Sequence, residues 1–145
     1  MLRGNKLAKV DEKGRLKIPS DFLGDLKEYG KQFYVTSETG EYARIYPMKE
    51  WGEIERKLSK LSSHNRTKRK FLTRTNYFGQ VVELDGQDRI LIPPLLRDSA
   101  KLKGDVDVMG FLTYLEVRNH AQVLDEMKKN PFTDDDFGTL DSLGI

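Results

Sequence analysis

The sequence predicts a β-rich α+β fold in which two tandem half-domains interlock into one barrel-like unit. Three observations support this prediction: a segment that recurs at an offset of 74 residues, alternating strand patterns in each copy, and a helical pattern after each set of strands. A length of 145 residues suits one compact domain, or two half-domains that share a core. We therefore expect one folding unit.

The repeat is clearest in two ten-residue segments. Residues 10–19 read VDEKGRLKIP and residues 84–93 read LDGQDRILIP. The likeness continues downstream, where residues 33–36 resemble residues 106–109. We divide the chain on this basis into a first half-domain, a basic connecting segment, a second half-domain and an acidic tail, with bounds 1–62, 63–75, 76–130 and 131–145.

The first two strands of each copy are expected to form a hairpin. In the first copy, apolar residues alternate with cations on both sides of the sequence DEKG at 11–14, which is the pattern of half-buried strands. Lys9, Arg15 and Lys17 are expected to face outward. Within DEKG, the aspartate can accept hydrogen bonds from turn amides and the glycine tolerates a positive φ.

Proline and glycine mark the ends of the next elements. A proline ends the second strand, because it has no N–H to donate to a ladder, and the following residue can open a helical turn that a glycine closes. In the two copies these residues are Pro19, Ser20 and Gly30, and Pro93, Pro94 and Gly104.

A second strand pair and a helix are predicted to complete each copy. The strand patterns cover residues 32–36 and 43–46 in the first copy, and 106–109 and 113–118 in the second. Pro47 is expected at the first position of a helix and Asn119 as the cap of its counterpart. The apolar positions predicted to pack into the core are Trp51, Ile54, Leu58 and Leu61, and then Val123, Leu124 and Met127.

The near-neutral total charge conceals a strong polarity. Residues 1–74 carry 18 basic and 10 acidic side chains, whereas the remainder carries 7 basic and 13 acidic ones. Such asymmetry is typical of a polyanion-binding half beside an acidic one, although two differently solvated surfaces would also produce it.

Several classes of function find no support in the sequence. There is no cysteine, and only His64 and His120 could offer imidazole, so we expect no metal site. No phosphate-binding glycine loop or nucleophile motif is present, and we expect no enzyme, no cofactor and no small-molecule substrate. The chain has no long apolar run, so we expect a cytosolic protein without membrane contact.

The doubled pattern, with DEKGRLKIP early and DGQDRILIPP after the midpoint, resembles the MraZ family of bacterial transcription regulators over nearly the whole chain. The opening MLRG and the two Asp-x-x-x-Arg pairs also look like that family. The resemblance implies an AbrB-like, swapped-hairpin barrel built by one chain, a ring-shaped homo-oligomer associated with the nucleoid, and binding of double-stranded DNA at repeated promoter elements. It further implies control of the division and cell-wall gene cluster.

The expected DNA-binding residues lie around the first turn. A two-stranded ribbon fits the major groove, and the guanidinium of Arg15 can bind a guanine or a phosphate. Asp11 would position that guanidinium, and Lys9, Lys13 and Lys17 would attract phosphates. Arg3 is a further candidate, or ordinary surface charge. Without a ligand, Asp11 and Arg15 would simply staple a surface hairpin.

The second copy is expected to bind DNA more weakly. Arg89 and its positioning partner Asp85 match Arg15 and Asp11, but residues 80–92 carry one basic and three acidic side chains against five and two in residues 6–18. Asp88 stands in place of the expected glycine, and we expect its carboxylate to repel phosphate and to compete for Arg89. The first copy would then read DNA while the second mainly builds the fold.

Two segments leave alternatives open. The basic run RTKRK at 66–70, followed by Arg74, is either a second DNA contact or a solvated helix face. The acidic tail is disordered, docked on the chain, or able to mask the basic hairpin through residues 134–136. A structural or protein-interaction ring and an RNA-binding module are the rival functions.

Overall fold

A computed structural model describes all residues, 1–145, and contains eight strands and six helices. The strands are β1 (Asn5–Val10), β2 (Arg15–Lys17), β3 (Gln32–Thr36), β4 (Ala43–Pro47), β5 (Gln80–Glu83), β6 (Arg89–Leu91), β7 (Gly104–Phe111) and β8 (Tyr114–Asn119). The helices are α1 (Ser20–Glu28), α2 (Met48–Ser59), α3 (Arg66–Tyr77), α4 (Pro94–Ala100), α5 (His120–Lys129) and α6 (Asp134–Asp141).

All eight strands form one antiparallel sheet in the order β5-β3-β4-β8-β7-β1-β2-β6, which curls into a nearly closed barrel. The two copies are interleaved within it. The first strand of each copy pairs with the third strand of the other, as β1 with β7 and β5 with β3. Equivalent strands pair with each other, as β2 with β6 and β4 with β8. The predicted α+β fold of two swapped half-domains is confirmed.

The interleaving changes the predicted hairpin. The turn at residues 11–14 is present, but β1 and β2 share only the pair Val10 and Leu16 before they separate. Strand β1 then runs along β7, and β2 runs along β6. The strands diverge because their apolar faces are buried against strands of the other copy rather than against each other.

One core serves both copies. It is a cluster of 20 buried apolar residues drawn from both halves of the chain, among which Leu16 and Ile90, at equivalent positions, have no exposed surface. Because the core combines apolar side chains from both copies, each copy buries more apolar surface than it could bury alone and is stabilised by it.

The outer face of the barrel carries a buried ion-pair network where β4 meets β8. Glu116 is 1% exposed. It accepts from the Nε atoms of Arg44, at 3.3 Å, and Arg118, at 2.6 Å. The two arginines are 74 residues apart and therefore equivalent in the repeat. A carboxylate withdrawn from water is stable here because two guanidinium groups satisfy it.

The predicted helical faces are only partly buried. In α2, Trp51 is 3% exposed, but Ile54 and Leu58 are half-buried, and Leu61 lies beyond the end of the helix and is exposed. In α5, Val123 is buried whereas Leu124 and Met127 are exposed. The prediction that both faces belong to the core was therefore wrong for most positions, because each helix buries only one anchoring side chain fully.

Two other predicted boundaries lie within one residue of the observed ones, and the one at Gly104 was wrong. Asn119 caps α5, where its side chain accepts from the N–H of Gln122 at 3.2 Å, as predicted. Pro47 precedes the first helical residue by one position. Gly104 does not end α4. Lys101 takes the left-handed conformation there, with φ of 56°, and Gly104 is the first residue of β7.

The ends of the repeat units are helical. The basic connecting segment forms most of α3, which Asn65 caps by accepting from the N–H of Lys68. Phe71 of this helix stacks on Trp51 with ring centroids 6.1 Å apart. The acidic tail contains α6. None of the six helices has the length and apolar character needed to cross a bilayer.

Candidate nucleic-acid interface

The turn between β1 and β2 is built around one carboxylate. Oδ1 of Asp11 accepts from the backbone N–H groups of Lys13, at 3.0 Å, and Arg15, at 2.9 Å. The Arg15 Nε donates to Oδ2 of the same carboxylate at 2.9 Å. Gly14 allows the chain to close this turn because its φ is 84°, a conformation that disfavours other residues. Asp11 therefore fixes both the turn and the Arg15 guanidinium.

These contacts keep Asp11 ionised. The hydrogen bond from the backbone N–H of Arg15 is the largest cause of its lowered pKa, and the Arg15 guanidinium adds to the effect. The ion pair uses only Nε of Arg15, and its two Nη atoms make no hydrogen bond within the chain. The Arg15 side chain is 32% exposed. A bidentate edge of the guanidinium is thus available to a ligand.

The second turn repeats the clamp. Oδ1 of Asp85 accepts from the N–H groups of Gln87, at 2.8 Å, and Arg89, at 2.9 Å, and Arg89 Nε donates to Oδ2 at 2.8 Å. The backbone N–H of Arg89 likewise contributes most to a lowered pKa of Asp85. Asp88 occupies the left-handed position with φ of 59°.

Asp88 pairs with a residue of the other copy. Its carboxylate lies 3.1 Å from Nζ of Lys27 in α1, and no ion pair or hydrogen bond joins it to Arg89. The expected competition for the Arg89 guanidinium is therefore absent from this structure. The physical reason is that the interleaved sheet brings α1 of the first copy beneath the second turn.

Both arginines lie on one face of the sheet. In the β2–β6 ladder, Arg15 is opposite Leu91 and Lys17 is opposite Arg89. Directly paired residues of antiparallel strands point to the same side, with Cβ atoms about 4.5–5.5 Å apart. Because Leu16 is buried on the inner side, Arg15, Lys17 and Arg89 all point outward. We call this outward surface, together with the turns at 11–14 and 85–88, the cationic face.

The other cations predicted to bind DNA lie at different distances from the cationic face. Lys13 is exposed in the first turn, and Lys9 is exposed on β1, opposite Asp105 of β7. Arg3 lies beyond the other end of β1, where it lines a surface pocket with Asp21 and Asp25 of α1. The structure therefore brings Lys13 to the cationic face, places Lys9 next to it and separates Arg3 from it.

Neither histidine belongs to a cluster of three or more side chains that could hold a metal ion. His120 Nδ1 lies 2.7 Å from Oδ2 of the buried Asp107, whereas His64 is exposed in the segment before α3.

Sequence reasoning missed Arg97. This residue of α4 lies against the first turn so closely that a Cβ atom on Gly14 would overlap its guanidinium. Its Nε is buried and has no hydrogen-bond partner. Together with Lys103 it lines a groove of about 500 Å³ beside Asp11. One feature of the sequence sets Arg97 apart, because the equivalent residue 74 positions earlier is Leu23. Only the interleaved fold shows that Arg97 packs against the first turn.

The basic run at 66–70 lies on α3, which carries five basic and no acidic side chains. Arg66, Arg69, Lys70 and Arg74 are exposed and make no ion pair within the chain.

The comparison with known families covers both copies. The family described as "MraZ protein, putative antitoxin-like" matches residues 1–74 and 79–142. The chain belongs to the MraZ family. The two matched segments contain the two turns of the cationic face, so each Asp–Arg clamp lies within a matched segment.

Curated relatives of the MraZ family agree along their whole length. The protein named "Transcriptional regulator MraZ" from Koribacter versatilis is 51% identical, and the protein of the same name from Acidobacterium capsulatum is 49% identical. A third, from Caldicellulosiruptor bescii, is 35% identical. In all three comparisons, the alignment covers 100% of this chain and 100% of the relative.

Proposed function

We propose that this chain is a sequence-specific DNA-binding transcription regulator that inserts the cationic face into the major groove. The observation that supports the proposal most directly is the Asp11–Arg15 clamp, which leaves both Nη atoms of Arg15 without a partner at the side of a tight turn. The role in regulation is inferred from the relatives named "Transcriptional regulator MraZ". The protein acts by binding, without catalysis and without a cofactor.

The chemistry of the clamp suits base readout. The major groove admits a two-stranded ribbon, and a guanidinium can donate two hydrogen bonds to O6 and N7 of guanine. Asp11 holds Arg15 by Nε and so reduces the side-chain entropy lost on binding. Lys13 and Lys17 supply the phosphate attraction that makes affinity depend on salt.

The two copies are proposed to contribute unequally. Arg15 follows a turn whose Gly14 packs against Arg97, and exposed lysines flank it, whereas the second turn carries the Asp88 carboxylate and its Lys27 partner. Arg89 and Asp85 therefore make a weaker second contact on the same face. Lys9 belongs to the periphery of the interface, and Arg3, beyond the other end of β1, is proposed as a separate phosphate contact.

The targets follow from the MraZ resemblance. We propose that the DNA targets are repeated promoter elements of the division and cell-wall gene cluster. A ring of several chains would bind them in the cytoplasm, at the nucleoid. A ring with one cationic face per subunit would gain affinity by avidity, because binding at one element raises the effective concentration at the next.

Electrophoretic mobility shifts with Arg15→Ala and Arg89→Ala test the proposal. Loss of a bidentate base contact costs about 1–3 kcal/mol, so we expect Arg15→Ala to weaken binding to promoter DNA by roughly 5- to 150-fold, and Arg89→Ala to weaken it less. The matched control is Arg56→Ala, which removes an exposed arginine from α2. Circular dichroism would verify that each variant is folded.

Three outcomes would count against it. Unchanged affinity of Arg15→Ala would remove the main contact, and equal losses in the two variants would refute unequal copies. Displacement of promoter DNA by RNA at moderate salt would favour an RNA-binding module. Absence of any duplex binding would favour a structural ring that contacts only proteins.

A further inference from the structure

The C-terminal helix α6 contains no buried residue, and only its Leu140 is partly buried. All hydrogen bonds of residues 133–145 stay within that segment. Phe132 and Phe137 pack edge to face on each other, 4.8 Å apart, yet they remain 60% and 57% exposed. Leu143 and Ile145 are exposed as well. The segment therefore presents an apolar surface that this chain leaves open to water.

A helix of this length needs a partner. It has eight residues, and isolated helices shorter than roughly 12–15 residues are marginal in water. Thr133 and Asp136 form a capping box, which stabilises only the first turn. Contact with another surface would both cover the phenylalanines and hold the helix.

The charges of the chain indicate which surface fits. Residues 131–145 contain four aspartates and no basic residue, and none of the four makes an ion pair. Helix α3 contains five basic residues and no acidic one. A groove of about 320 Å³ on α3 is lined by Ser63, Lys68, Arg69, Leu72, Thr73 and Asn76. It thus combines cations with an apolar side chain, as the tail combines aspartates with phenylalanines.

We propose that α6 of one chain docks on the α3 groove of a second chain of the same protein. Asp134 and Asp135 would face Lys68 and Arg69, and Phe137 would cover Leu72. Each chain has one tail and one groove, so the contact is head-to-tail and can propagate from chain to chain until a ring closes. The inference rests on the proposed assembly of several chains and is independent of DNA binding.

The exposed phenylalanines favour a protein partner for this arrangement over DNA. DNA could neutralise the cations of α3 but would leave the tail uncovered. Docking between two chains accounts for the unpaired charges of both helices and for the apolar surface of the tail. DNA contact by α3 is therefore the alternative that the experiments must separate.

Cross-linking tests the contact directly, because the chain has no native cysteine. Chains with Thr73→Cys, in the groove, are mixed with chains carrying Thr139→Cys, in α6, under mild oxidation. A disulfide forms only where Cα atoms come within about 7 Å. We expect a cross-linked pair of twice the chain mass. Thr39→Cys, an exposed threonine between β3 and β4, replaces Thr73→Cys in the control mixture and should give no such pair.

Charge exchange gives a second test. We expect Lys68→Glu with Arg69→Glu to raise the concentration for half-maximal assembly by roughly tenfold or more, because like charges would then face each other. Adding Asp134→Lys and Asp135→Lys to the same chain should restore assembly. Sedimentation velocity measures the mass, and mobility shifts on DNA with a single promoter element are measured in parallel.

The outcomes distinguish the proposals. A monomeric wild-type chain would overturn the proposed assembly and this contact with it, whatever the DNA result. An assembled wild type with no cross-link above the control, and no effect of charge exchange on mass, would overturn the contact alone. If a chain carrying both Thr73→Cys and Thr139→Cys formed an internal disulfide while the mixed single-cysteine chains gave no pair, α6 would dock within its own chain and the contact between chains would be overturned. Loss of DNA binding at unchanged mass would assign α3 to DNA.

Discussion

At the scale of single residues, the two Asp–Arg clamps do the same work from the same four-residue spacing. Each carboxylate accepts two backbone N–H groups and one guanidinium N–H, so the turn and the arginine are fixed together. This local arrangement could be predicted from the sequence, because Asp11 and Arg15 are neighbours in the chain and need no other part of the fold.

The pKa of Asp11 provides a test of the clamp. We expect it to lie below the ordinary value of 3.8 and to rise in Arg15→Ala without reaching 3.8, because the N–H of residue 15, its largest cause, persists in alanine. A lowered pKa stabilises the turn above 3.8, and this contribution is lost as pH falls through the lowered value. The carboxyl carbon shift measured by NMR against pH follows the titration.

Asp85 is the internal control for this measurement, since it should titrate identically in wild type and Arg15→Ala. A wild-type Asp11 that titrates at 3.8 or higher would contradict the clamp. A variant value equal to 3.8 would mean that the guanidinium alone lowers the pKa.

The partners beneath the turns could not be predicted. Arg97 reaches Gly14 and Lys27 reaches Asp88 only because helices of one copy lie under the turn of the other. Nothing in the spacing of 14 and 97 indicates contact, and the repeat alone would pair each turn with its own helix.

At the scale of elements, the boundaries were predicted better than the burial. The strands β3 and β4 and the cap of α5 lie where their patterns place them. The apolar faces of α2 and α5 were expected in the core, yet only Trp51 and Val123 are buried. Periodicity identifies the face of a helix that is apolar, but it does not say whether this chain or another surface covers it.

Trp51 should therefore dominate the stability that α2 contributes. It contacts Tyr34, Tyr46 and Phe71, with ring centroids between 4.7 and 6.1 Å away. We expect Trp51→Ala to lower the free energy of unfolding by about 3–5 kcal/mol. Leu61→Ala, beyond the helix end, should change it by less than about 0.5 kcal/mol. Urea unfolding followed by circular dichroism measures both, and similar losses in the two variants would contradict the single-anchor description.

At the scale of the whole molecule, the interleaved sheet makes the two copies dependent on each other. The repeat and the thin core of each half predicted that they would interlock. The specific pairing of β1 with β7 and the Glu116 network between β4 and β8 did not follow from the sequence, because each depends on strands that lie far apart in the chain.

Separated halves should consequently fail to fold as monomers. Fragments 1–78 and 79–145 each lose the strand partners supplied by the other, so we expect poorly dispersed amide NMR spectra for each alone and a native-like spectrum on mixing. Self-paired fragments would appear as dimers in sedimentation. A folded monomeric fragment would contradict the dependence of one copy on the other.

Joining both copies in one polypeptide has a consequence for orientation on DNA. A symmetric pair of identical chains presents the same groups when the duplex is turned end for end, and such proteins suit palindromes. Here one end of the cationic face has Gly14 over Arg97, and the other has Asp88 over Lys27. The two ends of the face therefore differ. Bound to DNA as proposed, such a face would distinguish a site from the same site in the opposite direction, and it would suit repeated elements that all run the same way.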